Sequence, residues 1–144
     1  MTREQRVLRL NAEIIIGFGV LFALAAVPTV YSWVAIFFDV AHFPFNMAPE
    51  ALDPTGRLMI AISGGLTVGL GVMVWTVATE VIPVAAPQGR KVVLYSAVGW
   101  FITDSTFSVV AGSPLNVILN LSFLLMMVMP LQRKGPAEAD PAKS

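Results

Sequence analysis

One acidic side chain stands inside a long uncharged stretch of the chain, and its position suggests what it could do. Residues 92–132 contain a single formal charge, Asp104. A charge near the centre of a membrane helix costs at least ~2.5 kcal/mol on insertion scales, so such residues usually face a partner or a polar cavity. A carboxylate in that position can bind a proton, a cation or the polar head of a lipophilic ligand.

The same stretch supplies polar partners for Asp104. As one helix it would be about 60 Å long, twice what a single membrane crossing needs, so we expect it to turn back at Gly112. Asp104 lies eight residues before Gly112 and Asn120 lies eight residues after it. The two side chains are therefore predicted to lie at the same depth of a helical hairpin. Ser108 and Asn116, each four residues from Gly112, would form a second polar pair.

These residues define a candidate polar site within the membrane, and two interpretations of it stay open. A four-residue step places Trp100 on the face of Asp104 and Ser108. The structural interpretation is a clasp in which Asp104 hydrogen-bonds Asn120 and Ser108, with each contact contributing about 0.6–2 kcal/mol. The functional interpretation is a small polar cavity that opens outward. The candidate residues are Asp104, Asn120, Asn116, Ser108 and Trp100.

Other catalytic chemistry finds little support in the chain. General acid–base catalysis usually needs a second ionisable group near the first. Glu13 and Glu80 are predicted to lie at the inner membrane interface, so neither would reach the depth of Asp104. His42 is the one histidine and cysteine is absent, which excludes a Ser-His-Asp arrangement there, thiolate metal sites and multi-histidine centres. We therefore predict no catalytic residue, no metal site and no cofactor.

The composition identifies the class of protein that must position the polar site. Of 144 residues, 56% are hydrophobic and 12% are charged, about half the charged fraction of a soluble domain. Uncharged runs predict an all-α, four-helix transmembrane bundle in one domain, residues 1–132, followed by a disordered cytoplasmic tail, 133–144. The predicted spans are 14–36, 58–82, 92–111 and 114–131, the third and fourth meeting at Gly112-Ser113-Pro114.

Basic residues predict the orientation of these spans. With four spans, both termini and the connection between the second and third spans share one side, which carries eight basic residues against Arg57 alone on the other. Positive residues are retained in the cytoplasm, so both termini are predicted to be cytoplasmic in a multi-pass protein of the bacterial inner membrane. A cleaved signal peptide is disfavoured because the apolar run continues past Pro28 to Phe38. Lys plus Arg and Asp plus Glu both number 9, which argues against nucleic acid as a partner.

Small residues predict how the helices pack. Close approach in lipid requires small side chains or interhelical hydrogen bonds. We expect the second span to pack on the first through Gly17, Gly19, Ala23 and Ala26, with a homodimer seam as the alternative. The small residues of the second span that recur every four positions are Ala61, Gly65 and Gly69, and, on a nearby face, Ser63, Thr67 and Gly71.

The long connection between the first two spans carries one further hypothesis. His42 and Asp39 could form a pH-sensitive pair or a weak metal contact, although a lone interfacial histidine usually does neither. Asp53 followed by Pro54 is typical of a helix N-terminus, with aspartate as the cap and proline in the first turn. This capping role removes Asp53 from the functional candidates.

Short motifs carry a resemblance to known proteins. The segments Gly99-Trp100-Phe101-Ile102-Thr103-Asp104-Ser105 and Gly112-Ser113-Pro114-Leu115-Asn116, with Asn120, resemble small uncharacterised four-helix bacterial inner-membrane proteins. The segment from Gly64-Gly65 to Gly71 is also similar to that group, whose layout is similar to that of DoxX-like proteins. The resemblance implies a four-helix membrane fold and no established activity or catalytic residue.

Three functions remain as hypotheses. The first is a non-enzymatic accessory or assembly subunit that packs in the bilayer with other membrane proteins or with copies of itself. The second is a small proton-linked carrier or lipophilic-ligand binder with a polar site around Asp104. A membrane enzyme acting on lipid or quinone is the least supported, because one buried ionisable group is available.

Overall fold

The computed structural model describes residues 1–41 and 51–132, and all secondary structure in these ranges is helical. Predictions that concern His42 and the tail 133–144 lie outside the described residues. The helices are α1 (Arg3–Leu24), α2 (Pro28–Ala41), α3 (Pro54–Thr76), a π-helical turn (Val77–Val81), α4 (Ile82–Val110), α5 (Asn116–Val128) and a short 3₁₀ helix (Met129–Gln132). Two helical stretches, Arg3–Leu24 and Pro54–Val110, are long and apolar enough to cross a membrane.

The first predicted span, 14–36, is not one continuous helix, although Pro28 alone would have allowed a bent one. Helix α1 begins at Arg3, capped by Thr2, whose side chain accepts from the Gln5 backbone N–H, and it ends at Leu24. Helix α2 then begins at Pro28. Because proline lacks the N–H that would continue the hydrogen-bond ladder of α1, it fits the first position of a new helix. The chain breaks here rather than bending.

The second and third predicted spans, 58–82 and 92–111, are joined by helical turns rather than by a loop. Asp53 caps α3 as expected, its Oδ1 accepting from the Gly56 backbone N–H at 2.6 Å. The chain runs through the π-helical turn into α4, where Ala85 leaves helical geometry with φ −147° and ψ 60°. This break, close to Pro83 and Pro87, lets α4 pack back against the π-helical turn.

Helices α1 and α3 pack closely and antiparallel, through Gly19 and Ala23 of α1 and Gly71 of α3 as predicted, but with Gly64 in place of Gly65 and Gly69. A Cβ added at Gly64 would lie 2.6 Å from the Gly19 carbonyl oxygen, and one at Gly71 would lie 3.0 Å from the Ala12 carbonyl oxygen. A Cβ at Gly65 would meet nothing within 4 Å. The same open space surrounds Gly69 and Gly17.

The angular positions of these residues around α3 explain which of them contact α1. The positions that approach α1 are Gly64, Val68 and Gly71. Their i, i+4, i+7 spacing stays within an arc of about 60°, as a long antiparallel contact requires. The predicted set Ala61, Gly65 and Gly69 is centred about 90° further round the helix, so Gly65 and Gly69 face away from α1.

The predicted hairpin is formed by α4 and α5. Gly112 has φ +78°, a left-handed conformation suited to glycine. The Ser113 N–H bonds the Ser108 carbonyl at 2.8 Å and the Gly112 N–H bonds the Val109 carbonyl at 3.1 Å, which is a Schellman C-cap. Helix α5 begins at Asn116, two residues later than predicted.

The α1–α3 pair and the α4–α5 pair meet at one end of the molecule, here named the Arg90 end. Arg90 forms a two-bond ion pair with Glu4, with N–O distances of 2.8 and 2.7 Å. The Asn11 side-chain amide donates to the Met126 carbonyl of α5. The buried apolar residues at this end are Leu8, Ala12, Ile15, Val74, Val77, Ala78, Ile82, Val93, Ala97 and Met127.

Candidate functional site

The polar residues predicted to meet across the hairpin are in contact. Asp104 Oδ1 accepts from Asn120 Nδ2 at 2.8 Å, from Ser108 Oγ at 3.0 Å and from Asn116 Nδ2 at 3.1 Å. Asn116 Nδ2 also donates to Ser108 Oγ at 2.9 Å. The two polar pairs expected from the sequence are therefore one connected cluster centred on a single carboxylate oxygen.

A further residue, Ser105, belongs to this cluster and was not predicted. Asn120 Nδ2 donates to Ser105 Oγ at 3.3 Å, and both residues are buried. Ser105 lies next to Asp104 in the sequence, off the four-residue face used for the prediction. Its contact arises because Asn120 packs between α4 residues of two neighbouring faces.

The cluster lies on the wall of a large cavity. The cavity has a volume of about 710 Å³ and lies between the two helix pairs, with α2 contributing to its wall. This volume falls within the ~300–1,000 Å³ typical of sites for drug-sized ligands. Asp104, Ser108, Asn116 and Asn120 all line it. The space between the pairs is what distinguishes this arrangement from a closed bundle.

The remainder of the cavity wall is largely aromatic and aliphatic. Trp100 lines the cavity one helical turn from Asp104, and its ring meets that of Phe123 edge to face at 6.4 Å. The ring of Phe18 in α1 packs edge to face against two other rings. Its centroid lies 5.3 Å from that of Phe123 and 6.5 Å from that of Phe37 in α2. The aromatic residues of the wall are Phe18, Phe22, Phe37, Phe38, Trp100, Phe107 and Phe123.

Two residues predicted to pack helices belong to the cavity instead. Ser63 and Thr67 of α3 line it together with Asp104. The Thr67 hydroxyl donates to the Ser63 carbonyl at 2.8 Å, so its hydrogen is satisfied within α3. The small and polar side chains of this face border open volume rather than another backbone.

Among the described residues that line the cavity, Asp104 is the one side chain with a carboxylate, and no histidine lies beside it. Over residues 1–41 and 51–132, no group of three His, Cys, Asp or Glu side chains could hold a metal ion. Asp39, considered above with His42, is buried in α2. The features that the site combines are one carboxylate, two amides and an apolar chamber.

Comparisons with known proteins add no relative: the chain matches no protein-family model, no curated protein and no solved structure.

Proposed function

We propose that this protein is a four-span membrane protein that binds a lipophilic ligand in the cavity between its two helix pairs. The ligand's apolar body would lie among the aromatic side chains and its polar group would meet the Asp104 cluster. The observation that carries the proposal is that a hydrogen-bonded carboxylate lies on the wall of a largely apolar cavity of about 710 Å³.

The proposed setting is the bacterial inner membrane, with both termini in the cytoplasm. Two stretches long and apolar enough to cross a membrane support this setting. The shorter helices α2 and Asn116–Gln132 are also apolar. In this arrangement α1, α3, α4 and α5 would cross the bilayer, and the cavity would open towards the end that carries Gly112.

Ligand binding is favoured here over the role of an accessory subunit. A clasp that only fixes the hairpin needs Asp104 to meet its partners on α5, and it needs no space in front of them. The cavity in front of Asp104 is bordered by all five α-helices, including α2, which makes no hairpin with α4 or α5. This volume is what a binding role requires and a clasp does not.

Filling the cavity tests the proposal. Ser63→Phe would place an aromatic ring in the cavity, whereas Leu66→Phe on the same helix would point outward, since Leu66 is 72% exposed and does not line the cavity. We expect native mass spectrometry of protein purified from membranes in mild detergent to detect a bound apolar molecule in the parent and in Leu66→Phe. The Ser63→Phe variant should lose at least about nine-tenths of it, as a ligand that cannot seat loses more than ~1.4 kcal/mol.

The result that would contradict the proposal is equal ligand occupancy in the two phenylalanine variants, or no bound molecule in the parent protein. Thermal unfolding in the same detergent provides the control. Both variants should unfold cooperatively, Leu66→Phe within a few degrees of the parent and Ser63→Phe lower by no more than the stabilisation that the bound ligand provides.

A further inference from the structure

The amide and hydroxyl donors of Asn116, Asn120 and Ser108, the cluster residues that line the cavity with Asp104, are all used within the cluster. Each asparagine amide carries two N–H groups. Asn116 directs Nδ2 at Asp104 and Ser108, and Asn120 directs Nδ2 at Asp104 and Ser105. The single hydroxyl hydrogen of Ser108 is directed at Asp104. None of these donors is left for a ligand.

The polar atoms that remain are acceptors. Within the part of the chain that the structure describes, all three hydrogen bonds to Asp104 end on Oδ1, and Oδ2 receives none. The side-chain oxygens of Asn116 and Asn120 likewise accept no bond from a described residue. No fully buried side-chain nitrogen or oxygen in these ranges lacks a partner, so the oxygens are not sealed inside the protein. The cluster therefore presents oxygen atoms, one of them carrying carboxylate charge, to the cavity.

The surroundings of the cluster contain no described cation to neutralise it. The cavity is lined by one formal charge, Asp104, and by no lysine or arginine among the residues that the structure describes. Trp100 and Phe107 lie one turn before and after Asp104 and also line the cavity. Aromatic faces attract cations within about 6 Å, and the attraction strengthens where water is excluded.

We infer that the ligand is a lipophilic cation whose charged group carries N–H donors, such as an alkylammonium, held by Asp104 Oδ2 and the oxygens of Asn116 and Asn120. This assignment rests on the proposed function, because it specifies the polar head of the ligand that the cavity binds. A carboxylate or phosphate head would meet a like charge at Asp104, and the donors of Ser108, Asn116 and Asn120 are already directed at the cluster. An alcohol can donate one hydrogen bond but leaves the carboxylate charge uncompensated.

Three probes with one shared dodecyl chain test the inference: dodecylammonium, dodecanol and dodecanoate. The full chain with Trp33→Phe and Trp75→Phe retains Trp100 as its one tryptophan, and this residue lines the cavity and reports occupancy by fluorescence. The protein is reconstituted in phosphatidylcholine nanodiscs, and nanodiscs without protein correct for partition into lipid. We expect dodecylammonium to bind at least tenfold more tightly than either other probe.

Asp104→Asn, made in this single-tryptophan protein, should remove that preference. The amide keeps an oxygen for the asparagine donors, loses the charge and turns an N–H₂ group towards the cavity. Loss of a charge-assisted hydrogen bond should weaken dodecylammonium binding about tenfold to a hundredfold, with little change for dodecanol. The matched control is Ser122→Ala on α5, since the Ser122 hydroxyl bonds the Ile118 carbonyl and does not line the cavity. It should leave all three affinities unchanged.

The outcomes separate the inference from the proposed function. Equal or tighter binding of dodecanol or dodecanoate, or dodecylammonium binding that survives Asp104→Asn, overturns the cationic assignment and leaves the cavity as a binding site. Failure of all three probes to change Trp100 fluorescence, with each probe shown to enter the nanodiscs, counts against both.

Discussion

Gly64→Ala is expected to destabilise the protein by about 2 kcal/mol or more, a larger loss than for alanine at any other glycine of α3. The new Cβ would overlap the backbone of Ala23 and lie 2.6 Å from the Gly19 carbonyl oxygen. Backbone atoms cannot move aside as the end of a flexible side chain can, so α1 and α3 would have to separate. Overpacking of this kind costs about 1–3 kcal/mol, and more where the contact cannot relax.

The adjacent glycine provides the control for this prediction. A Cβ at Gly65 meets nothing within 4 Å, so Gly65→Ala should be neutral or stabilise the helix by up to about 1 kcal/mol. The free energy of unfolding, measured by denaturant titration in mixed micelles, compares the two variants directly. If both substitutions had the same effect, the packing of α1 on α3 described above would be wrong.

The second large effect is expected at the Arg90 end, where an ion pair joins helices distant in sequence. Glu4→Gln should cost about 2 kcal/mol, because the Arg90 guanidinium would lose the carboxylate that accepts two of its bonds. The Glu4 side chain is 10% exposed and that of Arg90 is 27% exposed, so water compensates the lost partner only in part.

Glu13→Gln offers a matched control on the same helix. Glu13 pairs with Arg9 at 2.9 Å, but both side chains are about half exposed and four residues apart in α1. Such surface pairs contribute about 0.3–0.5 kcal/mol. The free energy of unfolding of each variant is measured in low and in high salt. At both salt concentrations, Glu4→Gln should lower it more than Glu13→Gln does. A smaller loss for Glu4→Gln than for Glu13→Gln would contradict a structural role for the Glu4–Arg90 pair.

The contact between Asp104 and Asn120 could be predicted from the sequence because it depends on few quantities. Helical rise is constant, and Gly112 marks the turn, so residues at equal separation from it reach equal depth. The positive φ of Gly112 and the 2.8 Å contact between Asn120 and Asp104 agree with that reasoning. The hairpin joins residues that are close in the sequence, and contacts of this kind can be predicted from residue spacing.

The packing face of α3 could not be predicted in the same way. Gly64 and Gly65 are adjacent glycines, and composition does not distinguish the one that contacts α1. The answer depends on the crossing angle of two helices, which decides whether a spacing of seven or of eight residues keeps one face in contact. Gly65 and Gly69 have the four-residue spacing of a helix-packing motif, but they lie on a face of α3 that does not contact α1.

The break between α1 and α2 was also beyond the sequence, as were the size and the largely apolar wall of the cavity, which the sequence analysis considered only as a small polar one. Pro28 indicates a disturbed helix, and both a bend and a new start satisfy its missing N–H. The cavity depends on how far the α4–α5 pair diverges from the α1–α3 pair, a tertiary property with no signal in either pair alone. Ser63 and Thr67 were consequently predicted to pack against a helix, whereas they line open volume.

Whether the cavity holds a ligand would be visible in a structure of the full chain, purified without added ligand and determined in lipid nanodiscs. We expect non-protein density in the space between α3 and the α4–α5 pair, elongated among the phenylalanine rings and ending within hydrogen-bond distance of Asp104. A structure in which side chains of α3 and α4 fill that space, or in which Asp104 faces away from it, would show that the cavity is not a ligand site.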